Sequence, residues 1–105
     1  MFDGNFINGK KNGNGKLIFK DGNYFIGQFK DNLRNGKGKL FDKNGNIWYE
    51  GDFINDFKEG NGKYIYVNEY YYIGQFNDDL PNGKGIVYNK NGEIIYNGNF
   101  VNGNK

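Results

Sequence analysis

The side chains that could do chemistry in this 105-residue chain are carboxylates, lysines and tyrosines. The chain has no His, Cys, Ser or Thr, so it lacks the hydroxyl and thiol nucleophiles, the histidine base and the soft metal ligands. These absences exclude a triad hydrolase, a zinc site and a disulfide scaffold. The lack of Cys is typical of a reducing compartment, although it does not require one.

Carboxylates are the residues best suited to act as an acid and base pair here. Two groups stand close together in the sequence: Asp78 with Asp79, and Asp52 with Asp56 and Glu59. Residue type is the only argument for catalysis by either group. Solvated turn residues are the simpler interpretation, and we expect no enzyme activity.

A short calcium-loop pattern, DKNGN, begins at Asp42. The full motif requires Gly at its sixth position and Glu at its twelfth, where this chain has Ile47 and Phe53. A phosphate-binding loop is also incomplete, because the chain has no Ser or Thr to follow its Gly and Lys. We therefore expect no metal and no cofactor.

The elements that would have to position any site are set by a repeat of aromatic residues and glycines. An aromatic-x-Gly-x-Phe unit begins at Phe2, Phe25, Tyr49, Tyr72 and Tyr96, so successive steps are 23, 24, 23 and 24 residues. One extra residue before the aromatic accounts for each longer step. The period predicts a single domain over 1–105, with repeats at 2–24, 25–48, 49–71 and 72–95 and a half repeat at 96–105.

Two further signals recur inside each repeat. A Gly-x-Gly follows seven residues after the final Phe of the unit, at 13/15, 36/38, 60/62 and 83/85. Seven residues later comes a turn residue: Gly22, Gly45, Glu69 or Gly92. The Asp-Gly and Asn-Gly pairs there predict type I′ turns, and at Glu69 we expect the preceding Asn68 to take the left-handed conformation. Pro81 is expected in the other connection, where it removes no sheet hydrogen bond.

These signals predict an all-β fold. Each repeat reads as a β-hairpin, and its connections are too short for a crossover. We expect an elongated, twisted, single-layer antiparallel meander of about nine strands, each about six residues long. Such a ribbon would be about 20 Å wide and on the order of 40 Å long.

Residue parity places the rings and many of the glycines on one face of this sheet. Phe2, Gly4 and Phe6 share a face because residues two apart in a strand point the same way, and Gly13 and Gly15 fall on the same face in the next strand. We expect each ring to lie over the glycine of a neighbouring strand. No second layer is encoded to cover the rings, so they must pack on one another or recruit a partner.

The spacing of Y-x-G-x-F, then Gly-x-Gly, then a DG or NG turn resembles the MORN repeat family over essentially the whole chain. The best-matching segments are YEGDFINDFKEGNGKY from Tyr49 and YIGQFNDDLPNGKG from Tyr72. The chain departs from the pattern in its 24-residue steps, in having Phe2 and Phe25 where the pattern has Tyr, and in having Glu69 where the pattern has Gly. The resemblance implies a sheet of hairpins acting as a protein-interaction, dimerisation or membrane-tethering accessory, with no catalytic role.

Three interpretations of function remain open. We expect first a non-catalytic scaffold that binds a protein partner, or a second copy face to face, through its aromatic face, at Tyr49, Phe53, Tyr64, Tyr66, Tyr72 and Phe76. The same rings could instead pack only on each other. The edge strands FDGNF and YNGNF could also pair end to end with another copy.

The alternative is weak binding to anionic lipid. The net charge is only +2, but residues 1–43 carry +5 and residues 44–105 carry −3. The basic residues available for lipid contact are Lys10, Lys11, Lys16, Lys20, Lys30, Arg34, Lys37 and Lys39. They could attract an anionic surface by about 1 kcal/mol each if they lay on one side. Nucleic acid is the least favoured partner, because the aromatics already have a structural explanation.

The expected location is the cytoplasm, with membrane or cytoskeletal association as variants. The N-terminus has no basic region followed by an apolar run, and no apolar stretch approaches about 20 residues.

Overall fold

The computed structural model describes residues Met1 to Lys105 and shows a single sheet of nine antiparallel strands in chain order. The strands are β1 (Phe2–Ile7), β2 (Lys10–Ile18), β3 (Tyr24–Lys30), β4 (Leu33–Phe41), β5 (Ile47–Ile54), β6 (Phe57–Ile65), β7 (Tyr71–Asn77), β8 (Leu80–Tyr88) and β9 (Ile94–Phe100). The predicted all-β meander is confirmed. The molecule measures 46 × 27 × 18 Å. None of its elements is a helix long and apolar enough to cross a bilayer.

The two strands of each hairpin are joined by only two residues, both with positive φ: 8–9, 31–32, 55–56 and 78–79. This is the geometry of a type I′ turn, which matches the twist of the strands it joins. The turns are shorter than predicted, so the even-numbered strands are nine residues long instead of about six. Pro81 consequently lies inside β8, paired with Phe76, and not in a connection as expected.

Consecutive hairpins are joined by five-residue loops: 19–23, 42–46, 66–70 and 89–93. In each loop the N–H of the first residue donates to the carbonyl of the fifth, as from Asp42 to Asn46 at 2.8 Å. Only the fourth residue has positive φ, so the type I′ prediction is wrong here. The left-handed residue of the third loop is Glu69, at φ 68°, and not Asn68. One left-handed residue suffices, because its N–H donates back to the carbonyl of the first loop residue, as from Gly45 to Asp42 at 3.0 Å.

The first glycine of each Gly-x-Gly is needed for a backbone conformation that favours glycine. These glycines, at 13, 36, 60 and 83, all have positive φ. The register shifts opposite each of them, so each forms a β-bulge. The extra residue of each longer step is also unpaired: Leu40 faces Tyr49 and Phe41 faces Ile47, which leaves Trp48 between them. Ile95 occupies the equivalent place in β9.

The second glycine of each Gly-x-Gly belongs to a row that crosses the whole sheet, with one glycine in every strand. In sheet order they are Gly4, Gly15, Gly27, Gly38, Gly51, Gly62, Gly74, Gly85 and Gly98, each facing the next across its strand pair. The ring of Tyr49 lies over Gly51 and Gly62, and its hydroxyl would be 2.5 Å from a Cβ at Gly62. The predicted fit of rings into glycine gaps is therefore confirmed.

The rings also form a continuous edge-to-face series along the ribbon. Its members, in order of contact, are Phe6, Phe2, Phe29, Phe25, Phe53, Tyr49, Phe76, Tyr72, Phe100 and Tyr96. Centroids are 4.9–5.3 Å apart at interplanar angles of 80–90°, the geometry that aromatic quadrupoles favour. Seven of the ten are buried. The single sheet thus covers its own face.

Neighbouring hairpins are tied together at their turns. The backbone N–H of Arg34 donates to Asp56 Oδ1 at 2.8 Å, and the N–H of Asp56 donates back to the Arg34 carbonyl at 2.9 Å. Lys11 with Asn32 and Lys58 with Asp79 repeat both bonds.

The fourth link of this kind is half formed. Pro81 has no N–H to donate, and its partner Gly103 has no side chain to accept one. Only the bond from the Gly103 N–H to the Pro81 carbonyl remains, at 2.8 Å. The missing donor and the missing acceptor therefore occur in the same pair.

We expect Gly38→Ala to lower the free energy of unfolding by about 2–3 kcal/mol, the upper range for an overpacked core. Its Cβ would collide with the Phe25 ring, and its φ is not left-handed, so the effect measures the clash alone. Chemical denaturation is the measurement. Gly9→Ala is the control, since its Cβ meets nothing within 4 Å and only its φ of 79° resists the change. Equal losses in the two variants would contradict the packing role.

The half-formed link predicts coupling between two substitutions. Pro81→Lys and Gly103→Asp, made together, restore the N–H donor and the carboxylate acceptor that Lys58 and Asp79 provide one repeat earlier. We expect the double variant to be more stable than the sum of the single variants by about 1 kcal/mol, the net value of one hydrogen bond. A double-mutant cycle by denaturation measures this, and strict additivity would refute it.

Candidate functional site

The structure divides the predicted partner-binding rings into two groups. Tyr49, Phe53, Tyr72 and Phe76 are buried in the ring series, with at most 4 % of each exposed. Their faces and edges are occupied by one another, which favours the alternative that these rings pack together. Burial also raises the pKa of the Tyr72 hydroxyl, which donates to the Gln75 carbonyl at 2.7 Å.

The other two predicted rings, Tyr64 and Tyr66, lie outside the core series and face a cleft. Tyr64 is half-buried and Tyr66 is 36 % exposed. Trp48 joins them: its ring meets Tyr64 edge-on at 5.7 Å and 79°, and Tyr64 meets Tyr66 at 5.0 Å and 57°. None of these rings is stacked flat on another, so the three form walls at large angles.

The cleft bounded by these rings has a volume of about 1030 Å³. It lies along the loop side of the ribbon, between the second and third five-residue loops. We call it the aromatic cleft and define it by Trp48, Tyr64, Tyr66, Val67, Asp42 and Glu69, all of which line it. A second cleft of about 670 Å³, lined also by Ile95 and Phe100, shares Tyr66 and Val67 with the first. Both clefts therefore flank the same loop.

This third loop, 66–70, differs from the other three in its exposed residues. Val67 stands where they carry Lys20, Lys43 and Lys90, and its side chain is fully exposed. Glu69 stands where they carry glycine, in a left-handed conformation that costs a non-glycine residue roughly 1–2 kcal/mol. The loop thus holds an apolar tip and a strained acidic residue at the edge of a cleft.

The charged residues that line the aromatic cleft are both acidic. Backbone and side-chain N–H groups of Asn46 donate to the Asp42 carboxylate and hold its pKa below the usual value, so it is ionised. Glu69 is exposed. Lys58 lies beside one wall of the cleft, with its Nζ 5.3 Å from the centroid of the Trp48 ring. Burial lowers the Lys58 pKa.

The carboxylates once considered for catalysis are held in structural roles. Asp56 and Asp79 accept the hydrogen bonds that tie hairpins together, and Asp52 pairs with Lys37. Glu59 accepts the backbone N–H of Asp78 at the next turn. No group of three or more acidic residues is arranged to hold a metal ion.

The predicted lipid-binding residues are not gathered on one face. Lys11 and Arg34 lie over rings of the aromatic face, at Phe2 and at Phe25 with Phe53. The remaining strand lysines point to the opposite face, where Lys37 and Lys39 pair with Asp52 and Glu50. Arg34 is paired with Asp56 at 3.0 Å. Lipid binding by this set stays a prediction.

Trp48, Val67 and Tyr70 were not among the predicted site residues, although all three line one of the two clefts. The sequence did carry a signal for them. Trp48 is the extra residue of a 24-residue step, and Val67 and Tyr70 replace a lysine and a polar residue found in the other loops. Parity could not place Trp48, because an unpaired bulge residue has no fixed face.

Comparison with known families gives one result. The sequence model of the MORN repeat matches residues 2–24, 25–47, 49–69 and 72–94, which begin at the same residues as the four predicted repeats and end within two residues of them. No curated protein matches the chain in a sequence comparison. MORN repeats are a non-catalytic repeat type known for interaction with proteins or membrane lipids.

We expect Glu69→Gly to raise the free energy of unfolding by about 1 kcal/mol, because glycine adopts the left-handed conformation without strain. For a chain of this size the melting temperature should rise by several degrees. Glu69→Ala is the control, since it removes the carboxylate and keeps the strain. A rise of the same size in the alanine variant would assign the effect to charge and contradict the strained backbone.

Proposed function

The chain belongs to the MORN repeat family, and we propose that it is a non-catalytic module that binds a protein partner through the two clefts beside loop 66–70. The supporting observation is an exposed apolar surface at a place where the fold does not need one. Val67 is fully exposed at the loop tip, between two clefts lined mainly by aromatic and aliphatic side chains. Apolar surface of this kind, rimmed by polar residues, marks interaction sites.

A comparison of the repeats supports a role for Tyr64 beyond the core. In the other three repeats the position equivalent to Tyr64 holds an aliphatic residue: Leu17, Leu40 or Val87. Leu40 and Val87 are buried there and pack into the core. Tyr64 packs against the same core and presents a half-exposed ring at a position that an aliphatic residue can fill. Tyr supplies large contact area with a hydrogen-bonding end, which suits a protein interface.

The open edge strands offer less support for self-association. The odd-numbered strands, which begin each repeat, pair only with even-numbered strands, which carry the Gly-x-Gly. One example is β7, which pairs with β6. The two edges, β1 and β9, are both first strands. Pairing them would set aromatic-x-Gly-x-Phe units against each other, an arrangement absent from the sheet. Edge-to-edge association stays a prediction.

We expect Val67→Lys to abolish binding to proteins that the unmodified chain retains, while the free energy of unfolding changes by less than about 0.5 kcal/mol. A charge at the loop tip would have to be desolvated on binding. Retention on the immobilised chain, followed by measured affinity for each retained protein, is the test.

The matched control is Val101→Lys, which places the same charge at another exposed valine outside the loop. Proteins that bind all three chains alike are background. If every protein retained by the unmodified chain is also retained by the Val67→Lys variant, the clefts are not the binding surface.

A further inference from the structure

The aromatic cleft stands out against the internal repetition of the chain. Because a 23-residue and a 24-residue step alternate, the sequence repeats with a period of 47 residues. Offset by 47, Trp48 corresponds to Met1 and Ile95, and Tyr64 to Leu17. Beside the cleft, Trp48 replaces Met or Ile, Tyr64 replaces an aliphatic residue and Glu69 replaces glycine. Trp48 and Tyr64 pack against the core, as Leu17 does, but the equivalent places also accept smaller residues.

The backbone strain at Glu69 supports the same view. Each of the other loops has glycine at this position, with φ between 83° and 91°. Glu69 keeps the same backbone conformation at an energetic cost. A strained residue beside a cleft is a reason to look for a function of its side chain. Glutamate in place of glycine adds one negative charge at the edge of the aromatic cleft.

Aromatic walls and carboxylates together form an environment for a cation. The face of a Trp or Tyr ring is negative and attracts ammonium and guanidinium groups, and a cage of such rings is the established means of binding them. Trp48, Tyr64 and Tyr66 supply the rings, and Asp42 and Glu69 supply two charges. No Lys or Arg lines the cleft. Its charge is therefore opposite to that of the chain as a whole, which is +2.

Two of the three rings of this cleft have no cation of the chain over them, unlike other rings of the sheet. Lysines of the chain itself lie over other partly exposed rings, Lys16 over Tyr24 at 4.5 Å and Lys63 over Tyr71 at 4.7 Å. Tyr64 and Tyr66 have no such cation over them. Lys58 approaches Trp48, but it is paired with Asp79 and largely covered. The half-buried Tyr64 and the more exposed Tyr66 thus line the cleft without a cation of the chain over either ring.

We propose that the aromatic cleft binds a lysine or arginine side chain of the protein partner, seated against Tyr64 and Tyr66 and balanced by Asp42 and Glu69. This rests on the proposed function and specifies the chemistry of the partner. The alkyl part of the incoming side chain packs on the rings and Val67, while its charged end faces the two carboxylates. The partner segment would carry apolar residues beside the basic one, to match the cleft walls.

The single Trp of the chain allows a direct test, because its fluorescence reports on the cleft itself. The full chain is titrated with three peptides, acetyl-Leu-X-Leu-amide, where X is Lys, norleucine or Glu. Norleucine keeps the alkyl chain of lysine and removes its charge. We expect saturable changes in Trp48 emission, with the Lys peptide binding at least about fivefold more tightly than the norleucine peptide and the Glu peptide weakest. The preference should fall as salt is raised from 50 to 500 mM.

Variants separate the two contributions to binding. Glu69→Gln should weaken the Lys peptide by about threefold and leave the norleucine peptide unchanged. Tyr66→Leu should remove most of the preference for Lys over norleucine. The control is Asp3→Asn, which makes the same charge change at an exposed residue outside the cleft, and it should leave both affinities unchanged.

Equal affinity for the Lys and norleucine peptides would overturn the cation site and leave the protein-binding proposal standing. No change in emission with any peptide would overturn the cation site as well. Phosphatidylcholine vesicles form a further arm. If they shift the emission and the Lys peptide does not, the cleft binds a lipid head group, and this inference fails. The protein-binding proposal fails separately, through the Val67→Lys comparison.

Discussion

The fit of an aromatic ring onto a pair of glycines in adjacent strands is the interaction on which this molecule depends. A single sheet has no second layer to cover its apolar face. Here each repeat places a ring directly against the backbone of two strands, in space that a Cβ would occupy. The ring then lies low enough to meet the rings of the next repeat edge to face. One glycine in every strand is thus the condition for a core in a protein one sheet thick.

Stability in such a ribbon passes from one repeat to its neighbours, as in other repeat proteins. Two sets of contacts do this, the ring series across the face and the hydrogen bonds between turns along one edge. Both use residues at fixed positions in the repeat, so few positions are free to vary. Loop 66–70 and the bulge at Trp48 differ in residue type from their counterparts in the other repeats. The candidate site lies at these departures from the repeat.

Most of the fold could be predicted from the sequence, because strand periodicity and the spacing of glycines are local signals. The type of each turn was harder. Asp21-Gly22 has the residues of a type I′ turn, yet its loop needs only one left-handed residue. Pro81 was misplaced because a two-residue turn at Asp78-Asp79 lengthens the strand that follows.

The site was predicted less well than the fold. Residue type made Tyr49 and Tyr66 equivalent, but the glycine row buries one and the loop exposes the other. That difference depends on how rings from separate repeats meet, which no single repeat encodes. Trp48 was missed for a related reason. Its bulge has no partner across the strand pair, and its direction is set only when the folded sheet brings β6 beside it.

The bulges at Trp48 and Ile95 make the 47-residue pair of repeats the true translational unit of this ribbon. Residues one unit apart lie four strands apart, roughly 19 Å at about 4.8 Å per strand. A feature placed at the bulge recurs at that interval and on the same face, whereas a feature placed in every repeat recurs twice as often. The ribbon therefore has two repeat distances, that of a single repeat and that of a pair of repeats. The bulge residue recurs at the longer distance, whereas the rings of the core series recur at the shorter one.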